Sequence, residues 1–104
     1  MNKEMLKGNI DLLVLAVLKE QDSYGYEISK ILSDKSGNVF EIQEATLYLA
    51  LKRLEKQEVI QSYWGEKTHG GKRKYYHITE SGLVHFEEIK NDFKTLSAIV
   101  KKII

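Results

Sequence analysis

The apolar positions along the first third of the chain repeat at helical spacing. Nearly every residue from Ile10 to Leu18 is apolar, which predicts a buried first helix. Asp22 and Ser23 are suitable N-caps for a second helix, and Gly37 lies where that helix would end. These signals predict two consecutive short helices.

A third helix with two different faces is predicted from about Glu44 to Gln57. Its apolar face consists of Leu47, Ala50, Leu51 and Leu54. The opposite face carries Ala45, Leu49, Lys52 and Lys56, flanked by Tyr48 and Arg53. Leu49 is unusual, because it is an aliphatic side chain on an otherwise exposed face.

After the third helix, the apolar period changes from 3.6 to 2. Val59–Trp64 and Arg73–Thr79 are rich in β-branched and aromatic residues, which favour extended strands. The connector 65–72 contains glycines, and such a connector between two strands predicts a β-hairpin with a long tip.

The last predicted helix runs from about Glu80 to the end of the sequence and can be capped by Thr79. Gaps of three and four residues separate its apolar positions, which form a heptad seam of Phe86, Ile89, Phe93, Leu96, Val100 and Ile103. A domain of about 80 residues has no obvious surface for a stripe roughly 37 Å long. We therefore expect this helix to pack against its copy in a two-fold dimer and against the apolar first helix. The alternative is that it folds back on its own domain.

The order of these elements predicts the fold class. Three short helices, a hairpin and a long helix are typical of a winged helix-turn-helix, a mainly α (α+β) fold with a two-stranded β-wing and a C-terminal dimerisation helix. Residues 1–79 would form the DNA-binding domain, and residues 80–104 the dimerisation helix, in one structural unit. In such a fold the third helix can enter the DNA major groove, which admits an α-helix, and the wing follows the phosphates.

The predicted wing carries a local excess of positive charge. No acid occurs between residues 67 and 77, and the basic residues there are Lys67, His69, Lys72, Arg73, Lys74 and His77. Lysine and arginine at a hairpin tip can contact phosphates and release counterions, and Gly70 and Gly71 let the backbone approach them closely. Two interpretations stay open, DNA contact or a solvated tip whose charges serve solubility.

Side chains on the third helix match the chemistry of a duplex. Thr46 and Tyr48 can donate hydrogen bonds to phosphates, and Lys52 can neutralise one. Leu49 can pack on a thymine methyl group. The alternative for Tyr48 is a half-buried packing role.

The composition argues against several other classes of protein. The chain has 104 residues, no cysteine, no proline and a formal net charge of +1, which indicates one globular domain without disulfides. The longest strictly apolar run, Leu12–Leu18, is too short to cross a bilayer, so we expect no membrane association. The absence of cysteine suits a reducing compartment, so we expect a cytoplasmic location. His69, His77 and His85 are not at metal-ligand spacing, and no nucleotide-binding loop occurs. We therefore expect no metal, no cofactor and no enzymatic activity.

Six segments together give the chain a family resemblance. They are Tyr24-Gly25-Tyr26-Glu27-Ile28, Glu44-Ala45-Thr46-Leu47-Tyr48, Leu51-Lys52-Arg53-Leu54-Glu55, Ser62-Tyr63-Trp64-Gly65, Gly70-Gly71-Lys72-Arg73-Lys74-Tyr75-Tyr76 and Ile78-Thr79-Glu80-Ser81-Gly82. Their order and spacing resemble the PadR family of transcriptional regulators, in its short type with one C-terminal helix. The resemblance extends from Lys3 to the C-terminal helix and is greatest to the multidrug-sensing branch.

The resemblance implies a homodimeric repressor that binds double-stranded DNA at an inverted repeat and is released by a planar aromatic small molecule. With the charge and helix arguments above, the predicted DNA-binding residues are Tyr24, Gln43, Ala45, Thr46, Tyr48, Leu49, Lys52, Lys67, His69, Gly70, Gly71, Lys72, Arg73 and Lys74. The alternative function is a winged-helix module that binds protein instead of DNA.

The resemblance also implies an effector site at the centre of the dimer, where an aromatic residue from each subunit sandwiches a flat ligand. That residue is Phe93 here, and the predicted effector site comprises Met5, Gly8, Leu12, Ile89, Lys90, Phe93 and Ser97. The predicted dimer interface comprises Leu6, Phe86, Ile89, Phe93, Leu96, Val100 and Ile103. The alternative for Phe86 and Phe93 is a packing role in a core.

Four departures from the family pattern affect these expectations. Phe93 replaces the tryptophan of the drug-binding examples, and Lys90 would disfavour cationic ligands because no acid is expected nearby. Gln43 is a poorer N-cap than the usual serine or asparagine. The segment Gln57-Glu58-Val59 stands where the family usually has a glycine at the end of the third helix. Because αL geometry costs a non-glycine residue about 1–2 kcal/mol, we expect this helix to end differently.

Overall fold

A computed structural model describes residues 8–66 and 71–104 of the chain. Its elements are α1 (Ile10–Glu20), β1 (Ser23–Tyr24), α2 (Gly25–Lys35), α3 (Glu44–Lys56), β2 (Ile60–Trp64), β3 (Lys74–Ile78) and α4 (Glu80–Ile103). The predicted winged helix-turn-helix, with three short helices, a hairpin and a long last helix, is confirmed. Five predicted site residues lie outside the described residues, namely Met5, Leu6, Lys67, His69 and Gly70.

A short third strand was not predicted. Ser23 and Tyr24 form β1, which pairs antiparallel with β3, so the sheet has three strands in the order β1-β3-β2. The expectation that Asp22 or Ser23 caps α2 is wrong, because the N-cap is Tyr24 and no side chain caps the helix. Ser23 is fully buried, and its hydroxyl donates to the Gln21 carbonyl at 3.2 Å. Strand pairing therefore places the start of α2 after Tyr24.

The hydrophobic core is built around α1. This helix packs against α2, α3, β3 and α4, which explains why apolar residues occupy most of its circumference. The fully buried aliphatic side chains are Val14, Leu15, Leu18, Ile28, Leu47, Leu51, Leu54 and Ile60. The predicted apolar face of α3 is thus confirmed as its core face. The helix consequently presents its other face to solvent.

The end of α3 adopts the geometry that the sequence argued against. Glu58 has a φ of +62°, in the left-handed region. The Val59 amide donates to the Leu54 carbonyl at 3.2 Å and the Glu58 amide to the Glu55 carbonyl at 3.0 Å, which together form a Schellman motif. Helix α3 therefore ends in the same way as a helix that is terminated by glycine, although glutamate occupies the position where glycine is usual.

Contacts from α4 stabilise this strained turn. The Glu58 carbonyl accepts hydrogen bonds from Thr79 Oγ1 at 2.9 Å and from Ser81 Oγ at 3.1 Å. Thr79 also caps α4, as predicted, because its Oγ1 accepts from the Gly82 amide at 3.0 Å. The end of α3 and the start of α4 therefore form one hydrogen-bonded joint.

Within residues 8–66 and 71–104, the first half of α4 packs on the rest of the chain, whereas its second half is largely exposed. Phe86 is 6% exposed and belongs to the core, with the ammonium groups of Lys19 and Lys90 at 5.2 and 5.5 Å from its ring centroid. Phe86 is thus a core residue of the subunit, whereas the heptad seam assigned it to the dimer interface. From Phe93 onward, every residue of the helix except Ser97 is exposed. Among the described residues, folding back therefore covers the beginning of the stripe and leaves its second half exposed.

None of the helices in the described part of the chain is long and apolar enough to span a membrane.

Candidate nucleic-acid interface

The exposed face of α3 carries the residues predicted to meet DNA. Gln43, Ala45, Tyr48, Leu49 and Lys52 are all exposed, and Thr46 is half-buried. Leu49 stands out because 65% of its surface is open to solvent. The helical period accounts for this division, since burial of one stripe in the core directs the other outward.

Tyr48 connects this face to the start of α2. A Cβ atom on Gly25 would lie 2.6 Å from the Tyr48 hydroxyl oxygen, so the ring would have to shift if Gly25 carried a side chain. The ring is nevertheless 46% exposed. Tyr48 is therefore partly a packing residue, as the alternative interpretation held, and it keeps a solvent-facing edge beside the first turn of α2.

Three cationic side chains of the wing lie in the described residues. Lys72, Arg73 and Lys74 are exposed. Before them, Gly71 has a φ of +91°, in the left-handed region that favours glycine. Glycine adopts this conformation at little cost, whereas a residue with a side chain would be strained there.

A row of aromatic rings crosses the outer face of the sheet. Tyr75 stacks on Tyr63 with centroids 5.7 Å apart, and meets Tyr24 edge-on at 5.5 Å. The guanidinium carbon of Arg73 lies 4.6 Å from the Tyr24 ring centroid. This row brings a wing cation to the residue that precedes α2. Sequence reasoning missed it, although Tyr63 and Tyr75 occupy corresponding outward positions of the predicted strands.

Asp22 holds the other end of this aromatic row. Its carboxylate accepts a hydrogen bond from the Tyr63 hydroxyl at 2.6 Å and lies 2.8 Å from His77 Nδ1. Partial burial raises the pKa of Asp22, but the hydrogen bonds from Tyr63 and His77 outweigh it and bring the pKa below its ordinary value. The hydrogen bond to Asp22 raises the pKa of Tyr63 to about 12. At neutral pH the pair therefore consists of a carboxylate and a protonated phenol.

A groove between α1 and α4 contains part of the predicted effector site. Its volume is about 430 Å³, and it is lined by Gly8, Asn9, Asp11, Leu12, Gln57, His85, Ile89, Asp92, Phe93 and Leu96. Four predicted residues thus come together, namely Gly8, Leu12, Ile89 and Phe93. Lys90 and Ser97 are not part of this lining, and the Lys90 ammonium instead contacts the Glu87 carboxylate at 2.8 Å.

The charge of this groove is opposite to the one expected. Asp11 and Asp92 line it, so the expectation of a nearby cation and no acid is wrong. Asp11 is paired with Arg53 of α3, whereas Asp92 is exposed on α4. The reason lies in the packing of α1 against α4, which turns Asp92 rather than Lys90 toward the groove.

Within residues 8–66 and 71–104, no three histidine, aspartate or glutamate side chains are grouped so that they could hold a metal ion.

Comparison with known proteins identifies the family. Residues 14–88 match the transcriptional regulator PadR-like family. An uncharacterised protein of Lysinibacillus sphaericus is 42% identical over 97 residues, which are 93% of this chain and 89% of that protein. A transcriptional regulator from Clostridium thermocellum has a TM-score of 0.92 at 36% identity, with 100% of this chain and 98% of that chain covered. Bacillus subtilis PadR in complex with operator DNA shares the fold, with a TM-score of 0.68 at 20% identity over 76% of this chain and 45% of that chain. The chain therefore belongs to the PadR-like family of transcriptional regulators and is not an enzyme.

Proposed function

We propose that the protein is a cytoplasmic, homodimeric repressor that binds an inverted-repeat operator in double-stranded DNA. Residues 1–79 would bind the DNA and residues 80–104 would join the two subunits. The observation that carries the proposal is the continuity between the exposed face of α3 and the wing cations. Arg73 lies over Tyr24, and Tyr24 precedes Gly25, against which Tyr48 of α3 packs.

This surface matches the chemistry of duplex DNA. An α-helix fits the major groove, where Leu49 can meet a thymine methyl group and Lys52 a flanking phosphate. The cations at the base of the wing then follow the adjacent backbone. The Bacillus subtilis PadR structure supports DNA as the partner, because a protein of the same fold was solved there in complex with operator DNA.

The open half of α4 supports the dimer. Phe93 and Leu96 are 47% and 59% exposed, and the apolar stripe continues through Val100 to Ile103. A contiguous apolar stripe of this length is typical of an association surface. A two-fold axis through it would present two α3 helices to the two halves of an inverted repeat.

Neutralising the wing provides the main test of DNA binding. Lys72→Ala combined with Arg73→Ala should weaken binding to the upstream region of the protein's own gene. It should also reduce the slope of log affinity against log salt by about 1 for each lost phosphate contact. Fluorescence anisotropy at several salt concentrations measures both quantities.

Two lysines at the far end of α4 serve as a control for that test. Lys101→Ala with Lys102→Ala removes the same number of charges from exposed positions outside the proposed DNA-binding surface. This pair should leave the slope unchanged. An unchanged slope in the wing variant would refute the wing contacts.

We further propose that a planar aromatic ligand enters the groove beside Phe93 and releases the operator. Because Asp92 lies in the groove, a planar cation should bind better than an anion of similar shape. Phe93→Ala should weaken binding of such a cation by roughly tenfold, as expected for loss of a stacking and cation–π partner. Isothermal titration calorimetry with matched cationic and anionic aromatic compounds measures this, and equal affinity of wild type and variant would contradict the stacking.

The exposure of Leu49 supports a second candidate, a winged-helix module that binds another protein. An aliphatic side chain that is 65% exposed at the centre of α3 would suit an apolar partner as well as a thymine methyl group. In that case the wild-type protein would show no salt-dependent binding to DNA.

A further inference from the structure

We propose that Tyr24 is a positioning residue that holds Arg73 in place for a DNA phosphate. The inference rests on the proposed DNA binding and refines it. The sequence assigned Tyr24 to direct contact with DNA, whereas the geometry indicates that it acts through the arginine.

The evidence begins with the contact between the two side chains. The Arg73 guanidinium lies 4.6 Å from the centre of the Tyr24 ring. Guanidinium groups stack on aromatic faces and retain their N–H donors at the edge of the plane. The guanidinium that covers this face of Tyr24 can therefore still donate hydrogen bonds outward to a phosphate.

The Tyr24 ring is itself held in place by Tyr75. Its backbone pairs with Tyr75 in the sheet, and its ring meets the Tyr75 ring edge-on at 5.5 Å. Tyr75 in turn stacks on Tyr63, whose hydroxyl donates to Asp22. Arg73 thus rests on a platform of aromatic side chains anchored by a hydrogen bond to a carboxylate.

The two lysines that flank Arg73, Lys72 and Lys74, are less restrained than Arg73 is. The Lys74 ammonium lies 5.8 Å from the Tyr76 ring centroid, a longer distance than that of Arg73 from Tyr24. Lys72 is exposed and makes no ring contact or ion pair with the described residues. Long cationic side chains lose rotamer freedom when they are immobilised on a ligand. A platform that restrains Arg73 before binding reduces that loss, so Arg73 should contribute more to affinity than its neighbours.

The platform also places Arg73 near the exposed face of α3. Tyr24 is the N-cap of α2, and the next residue, Gly25, packs against Tyr48 of α3. The guanidinium is therefore fixed to the part of the chain that adjoins the exposed face of α3. A phosphate beside the major groove occupied by α3 would lie on this side of the molecule.

The test combines substitutions at both positions with anisotropy measurements on the upstream region of the gene. Tyr24→Leu removes the ring and should weaken binding by roughly five- to tenfold. Tyr24→Phe keeps the ring and should bind within about twofold of wild type. Adding Tyr24→Leu to Arg73→Ala should cause little further loss, because a residue that acts through Arg73 has no effect once Arg73 is gone. Equal losses in the Phe and Leu variants would show that the hydroxyl itself contacts DNA, and additive losses would also overturn the proposal.

A second measurement examines the platform without DNA. A guanidinium over an aromatic face should show an upfield-shifted Arg73 Nε–H proton in the NMR spectrum of the free protein, which persists in Tyr24→Phe. A normal shift in the wild type would refute the stacking.

If Tyr24→Leu does not fold, Arg73→Lys takes its place, because it keeps the charge and loses the planar stack. The Arg73→Lys variant should bind DNA several-fold more weakly than wild type, and an affinity equal to that of wild type would overturn the proposal. If the wild-type protein itself did not bind DNA, the proposed function would be refuted instead.

Discussion

Leu96→Glu is expected to convert the protein into a monomer at micromolar concentration and to lower its operator affinity at least about 100-fold. Leu96 lies in the middle of the open apolar stripe of α4, between Phe93 and Val100. In a two-fold dimer, each glutamate would be buried against an apolar surface and close to its copy. An unpaired buried charge costs about 3–5 kcal/mol, and the stripe offers no cation to compensate it. Loss of the dimer would then separate the two α3 helices that a palindromic site requires.

Ala98→Glu is the matched control for this prediction. Ala98 is exposed on the opposite side of α4, so the same charge is added to the same helix outside the stripe. Sedimentation equilibrium should show the control as a dimer and Leu96→Glu as a folded monomer. A dimeric Leu96→Glu variant, or a well-folded wild-type monomer at micromolar concentration, would contradict the dimer.

Gly82→Ala is expected to destabilise the protein by about 1–3 kcal/mol, the usual cost of overpacking. A Cβ atom at this position would overlap the Val59 carbonyl oxygen and lie 2.7 Å from Ile78 Cγ1. The first of these neighbours is backbone in the turn that ends α3, so it cannot move without disturbing the hydrogen-bonded joint. Helix propensity alone predicts the opposite sign, since alanine is favoured over glycine by about 1 kcal/mol inside a helix. The sign of the change therefore distinguishes packing from propensity.

Thermal unfolding at equal protein concentration measures this effect. Each kcal/mol corresponds to about 4–8 °C in Tm for a domain of this size, so a clear decrease is expected. Val84→Ala, at an exposed position of the same helix, should change stability by no more than about 0.5 kcal/mol. A higher Tm for Gly82→Ala would show that the α3–α4 joint is looser than the structure indicates.

The joint also connects the groove proposed for the effector to the helix proposed to bind DNA. Gln57, which follows the last turn of α3, lines the groove that contains Phe93. The start of α4 is hydrogen-bonded to Glu58, the next residue. A change in the tilt of α4 would consequently be transmitted to the end of α3 through a short and directly bonded connection.

The sequence by itself determined the helices, the hairpin and the outward face of α3. These features depend on periodicity and capping over a few residues, such as the buried stripe of α3 and the Thr79 cap of α4. The positions of Tyr48, Leu49 and Lys52 on the exposed face followed from the same spacing. The family resemblance added an expected role for that face but no contact geometry.

Only the tertiary structure decided the contacts between distant segments. β1 has two residues and no periodicity to detect, and it exists because β3, about 50 residues later, supplies its hydrogen bonds. Glu58 adopts αL geometry because Thr79 and Ser81 hold its carbonyl, which local propensity cannot anticipate. Phe86 is a core residue and Asp92 faces the groove because of the way α4 packs on α1. Each of these outcomes depends on the energy of a long-range contact, and such contacts are set by the packing of whole elements.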